Sequence, residues 1–120
     1  MKLTLPLLLA LWSTSSFALD CQNAVSTPEI NECAAAEQKK IEEQLNKTYQ
    51  DALKRLADDK ATRTALVTAQ RAWVKFREAD CKAVYQRSIG GTIRTVMYLG
   101  CMQNRAETRI KELQDYTQAS

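Results

Sequence analysis

The sequence predicts an all-α fold: an antiparallel three-helix bundle, made of a helical hairpin plus a long first helix, with two disulfides. Three observations carry this. Residues 29 to 89 contain no glycine and no proline and are rich in Ala, Leu, Glu, Gln, Lys and Arg, the strong helix formers. Apolar residues recur at helical rather than alternating spacing. Gly90-Gly91 is the one clear breaker after residue 28, and it divides the remaining chain into two helical arms.

The chain opens on a targeting pattern. Met1-Lys2 is a short positive start, Leu3 to Trp12 is leucine-rich, and Ser16-Phe17-Ala18 places small residues where a signal peptidase reads them. The apolar stretch is too short to span a bilayer. Residues 1–18 are therefore expected to be a cleaved signal peptide, and residues 19–120 a single domain. Asp20 before Cys21 disfavours a lipid-attachment site, which needs a small residue there.

The first helix is expected to start at Thr27-Pro28-Glu29. Thr27 can cap, Pro28 fits the first turn, and Glu29 suits the positive end of the helix dipole. Its apolar stripe is Ile30, Cys33, Ala34, Ile41, Leu45, Tyr49, Ala52 and Leu56, and it should end near Ala57. Asp58-Asp59 then caps a second helix from about Lys60 to Arg87, with Leu66, Ala69, Gln70, Trp73, Phe76, Cys81 and Val84 inward. Thr92 can cap a third helix, on which Ile93, Val96, Leu99, Ala106, Ile110 and Leu113 face the bundle.

Four cysteines behind an export signal imply two disulfides. Cys81 lies ten residues before Gly91 and Cys101 ten after it, so a hairpin turning there places them at one height. Cys21 would then strap the N-terminal segment to Cys33. Spacing alone leaves two other connectivities open. Gly100, beside Cys101, is expected to let the two arms approach closely. A zinc site finds no support: there is no Cys-x-x-Cys pair and no histidine.

The full chain carries 17 basic and 14 acidic residues, a net charge of +3. This balance does not argue for nucleic acid or an anionic membrane. The distribution is uneven. Residues 19–59 carry 5 basic and 9 acidic groups, and residues 60–105 carry 9 basic and 2 acidic. The simplest consequence is an acidic first helix lying against a basic second one.

Catalytic signatures are missing. Without histidine the chain lacks the commonest general base and the usual partner of a serine or cysteine nucleophile. No phosphate-binding glycine loop or nucleophile elbow occurs. No catalytic, cofactor-binding or metal-binding residue is therefore assigned, and a non-enzymatic role is expected. Trp73 and Phe76 read as core, with Arg77 stacked on Trp73 one turn away. Gln70 and Asn46 are expected to make structural hydrogen bonds inside the bundle. The local site that stands out is the hairpin tip, Arg87-Ser88-Ile89-Gly90-Gly91-Thr92-Ile93-Arg94. It combines two glycines, two hydroxyls and two flanking arginines in a narrow projection.

Leu45-Asn46-x-x-Tyr49, Gln70-Arg71-x-Trp73-x-x-Phe76-Arg77-x-x-x-Cys81, Gly90-Gly91-Thr92, Cys101 and Arg105-Ala106 together resemble the lysozyme-inhibitor LprI N-terminal-like family, long filed as a domain of unknown function. The resemblance spans about residues 21 to 116. The family turn often reads Gly-Gly-Ser where this chain has Gly-Gly-Thr, which keeps the hydroxyl. The resemblance implies a small, exported, disulfide-bearing helical protein, periplasmic or secreted, and for the named member inhibition of lysozyme. A protein partner, a lysozyme among the candidates, is thus expected; the resemblance names no contact residues, and it is the composition of the hairpin tip that makes Arg87, Ser88, Gly90, Gly91, Thr92 and Arg94 the expected contacts. The alternative is a cell-envelope module engaging another protein or peptidoglycan. No nucleic acid, membrane span or cofactor is expected, and the protein should be a monomer.

Overall fold

The computed structural model describes residues 19–118, which hold three helices: α1 Thr27–Arg55, α2 Lys60–Arg87 and α3 Arg94–Gln114. The expected leader, residues 1–18, lies outside the described residues. No strand occurs among the described residues, and none of the helices is long and apolar enough to cross a membrane. The all-α bundle with two disulfides is thus the observed fold.

The α1 cap is Ser26, one residue earlier than expected: its Oγ accepts from the Glu29 N–H at 3.3 Å. Glu29 in turn accepts from the Val25 N–H at 3.3 Å. The Ser-x-x-Glu spacing sets these two hydrogen bonds on either side of the helix start, which a Thr27 cap, followed three residues on by Ile30, does not. Helix α1 closes at Arg55 with Lys54 and Arg55 in its last turn, suiting the negative end of its dipole. The connection to α2 is four residues long, and Asp59 ends it by accepting from the Thr62 N–H at 3.0 Å.

Hydrogen bonding from Thr62, its side chain first and its backbone N–H second, holds the Asp59 carboxyl below its ordinary value of 3.8. A depressed folded-state value means stabilisation that is complete above the unfolded value and lost as pH falls through the folded one. Asn at this position also caps but does not titrate. Asp59→Asn is therefore expected to melt slightly below the parent at neutral pH and to converge with it in acid as the parent's carboxyl protonates, read as Tm against pH.

Helix α3 packs against both α1 and α2, most extensively along α1. The core sits at the end remote from the Gly90-Gly91 turn. It comprises Ile41, Leu45, Ala52 and Leu53 of α1, Leu66 of α2, and Ala106, Ile110 and Leu113 of α3. Tyr49, Leu56, Val67 and Trp73 close around it.

Several expected inward positions lie outside. Ile30, Ala69, Phe76 and Ile93 are exposed, Phe76 by 56%. Asn46 is exposed too, and among the described residues its side chain makes no hydrogen bond to the bundle. On α2 the reason is angular. At about 100° per residue, Arg77 falls roughly 20° from Leu66 while Phe76 falls roughly 80° away. Arg77, not Phe76, occupies the inner stripe and is only 6% exposed.

Gly100 also differs from expectation. A Cβ built on it meets nothing within 4 Å, so it is not what lets the arms approach. Thr92 does not cap α3 either: the capping residue is Ile93, which offers no side-chain acceptor.

Candidate functional site

The Gln70-to-Cys81 block is a fastening between helices. Arg77 crosses from α2 to α1, where its Nη1 and Nη2 both donate to the Glu42 carboxylate, the second at 3.3 Å. Its guanidinium also lies 4.7 Å from the Trp73 ring centroid. Gln38 donates to the same Glu42 carboxylate at 2.8 Å. Toward α3, Gln70 Oε1 accepts from Arg109 Nε at 2.8 Å, satisfying a buried amide oxygen as expected. The expected stacking of Arg77 on Trp73 is present, whereas Arg71 points to solvent. Of the expected charge match between α1 and α2, Glu42–Arg77 is the one direct ion pair among the described residues.

A Cys81–Cys101 disulfide joins α2 to α3 with Cα atoms 5.6 Å apart, and Cys21–Cys33 straps the N-terminal segment to α1 at the same separation. Asp80 lies beside the first bridge. Both sulfurs of that cluster are consumed in the disulfide, so it offers a metal one carboxylate and no thiolate. Asp80 is moreover paired to Arg105 at 2.7 Å.

Beyond the bridge the hairpin narrows into its tip. A chain of turns carries it: the Ser88 N–H donates to Val84 O, Gly91 N–H to Ser88 O at 3.1 Å, and Arg94 N–H to Gly91 O. Gly90 has φ +83°, a left-handed conformation that favours glycine. Ile89 and Ile93 flank the turn and are 63% and 59% exposed. Arg87, Gly91 and Thr92 are also exposed, and Ser88 is half-buried.

The two arginines of the tip differ. Arg94 folds back: its guanidinium lies 3.5 Å from the Tyr85 ring centroid and its Nε donates to the Tyr85 carbonyl at 3.2 Å. Tyr85 meets Tyr98 edge-on at 5.9 Å. Arg94 is thus a latch across the base of the tip. Arg87 makes no ion pair among the described residues and faces solvent. Tyr85 was not singled out from the sequence. Its signal is symmetry: Tyr85 and Arg94 straddle the Gly90 turn much as the two cysteines do.

These features define a small helical protein whose projecting hairpin is clamped at its base by a disulfide and a cation–π latch. The chain belongs to the family described as Lysozyme inhibitor LprI, whose model matches residues 20–113. It is 30% identical over 112 residues to an uncharacterised protein of Rhizobium meliloti (strain 1021), covering 84% of this chain and 81% of that one. A crystal structure of a DUF1311 family protein from Pseudomonas putida KT2440 shares the fold, with TM-score 0.67 at 21% identity, over 75% of this chain and 92% of the other. The family and the two disulfides fit an extracytoplasmic location.

Proposed function

We propose that this protein is exported, loses residues 1–18, and as a monomeric single domain binds and blocks lysozyme-type muramidases. The observation that carries the reading is the clamped, exposed tip on a chain of the lysozyme-inhibitor family. Muramidases cleave with carboxylates set in a sugar-binding cleft. A narrow turn bearing Ile89, Gly90, Gly91 and Thr92 can enter such a cleft, where Arg87 pairs with a catalytic carboxylate. Arg94 acts from behind by keeping the turn rigid, which lowers the entropy lost on binding.

The test is turbidimetric lysis of cell-wall substrate by several muramidases with the purified, disulfide-intact protein present. Inhibition is expected, with Arg87→Ala raising the inhibition constant at least about tenfold, the equivalent of about 1.4 kcal/mol. Unchanged lysis at high micromolar protein removes the inhibitor reading. Full potency of Arg87→Ala removes the tip mechanism and leaves inhibition standing.

A further inference from the structure

A groove of about 440 Å³ runs along one face of the α2–α3 hairpin, between the tip and the core. Its lining includes Val84, Val96, Gly100 and Cys101, and Met97, itself 39% exposed, contributes a wall. Arg87 and Arg105 border it. We infer that this groove docks an extended acidic segment of a partner protein, one that carries a large apolar side chain flanked by carboxylates.

Gly100 is the first observation. It lies inside α3, where glycine is roughly 1 kcal/mol less favourable than alanine. Neither a left-handed backbone nor close packing demands it, since a Cβ there meets nothing within 4 Å. What the missing side chain does is widen the groove.

Charge is the second observation. Residues 81–106 carry Lys82, Arg87, Arg94 and Arg105 and no carboxylate. Arg94 is held on Tyr85 and Arg105 on Asp80, which leaves Arg87 as the rim cation with no ion pair among the described residues. A second copy of the chain docked face to face would set like charges against one another, and an anionic membrane would meet the tip before it met a concave face. An acidic segment complements both the shape and the sign. The inference goes beyond the muramidase reading and shares only Arg87 with it.

The experiment needs no muramidase. The ¹⁵N-labelled, disulfide-intact protein is titrated with the capped hexapeptide Glu-Glu-Leu-Phe-Glu-Glu, with its counterpart Lys-Lys-Leu-Phe-Lys-Lys, and with phosphatidylglycerol vesicles. The acidic peptide is expected to shift the amides of Val84, Val96 and Gly100 and to bind at least tenfold tighter than the lysine peptide. Gly100→Phe, which fills the groove, is expected to abolish the shifts, Arg87→Gln to weaken binding several-fold, and Gly100→Ala to bind while melting higher. If Gly100→Phe does not fold, Arg87→Gln and the peptide comparison decide. Equal affinity for the two peptides, shifts elsewhere on the molecule, full binding by either blocking variant, or vesicle binding without peptide binding overturns the inference.

Discussion

Replacing Cys81 and Cys101 together by alanine is expected to lower unfolding free energy by about 3 kcal/mol in the chain-entropy account of a 20-residue loop. For a domain of this size that corresponds to roughly 10–20 °C in Tm. Cys81 is fully buried, so the lost sulfur leaves a small void that adds to the cost. Alanine is the right replacement, because serine would bury a hydroxyl with no assured partner. The Cys21–Cys33 pair closes a shorter loop, with a sequence separation of 12 against 20, and residues 19–25 are mostly exposed and add little to the core. Its alanine variant is expected to lose distinctly less. Equal losses in thermal melts of the two variants would contradict the assignment of the Cys81–Cys101 bridge as the main clamp.

Arg77→Ala is the second large expected effect, a loss of about 2–3 kcal/mol. That lies below the 3–5 kcal/mol typical of breaking a fully buried pair, because Glu42 is partly solvated. Its side chain is 31% exposed, against 7% for Arg77. Three contributions act together: the two-pronged ion pair to Glu42, the stacking on Trp73, and the apolar stem packed within the bundle. Phe76→Ala, one residue away, is expected to change stability by less than about 0.5 kcal/mol, as solvent-facing substitutions do. Urea denaturation of the pair gives the contrast directly. A Phe76 variant that costs as much as the Arg77 variant would mean that the inner face of α2 lies one residue away from where the structure places it.

That contrast also shows how far the sequence was legible. Residue type favours Phe76 over Arg77 for a core position, whereas azimuth favours Arg77, and azimuth decides. The helix spans and the hairpin follow from local rules, the long run without glycine or proline and the Gly90-Gly91 break, while the equal distance of Cys81 and Cys101 from that break favours one of three pairings and the structure selects it. The Ser26 cap lies in a Ser-x-x-Glu spacing and the inward Arg77 in an azimuth that the sequence carries, whereas the Arg94–Tyr85 latch depends on rotamers and on a neighbour more than a turn away, which a residue list does not encode. At the tip, Arg87 and Arg94 look equivalent as letters. Only the position of the Tyr85 ring separates them.

The order of the bridges has a consequence for how the molecule is made. Each joins a cysteine to the next one in the chain, first with second and third with fourth. For a chain that meets an oxidant N-terminus first, pairing by order of emergence yields the native connectivity without thiol–disulfide shuffling. The first bridge can close once α1 has begun, and the second once the hairpin has turned. Maturation would then proceed at the pace of emergence, with no slow isomerisation of mispaired cysteines to wait for.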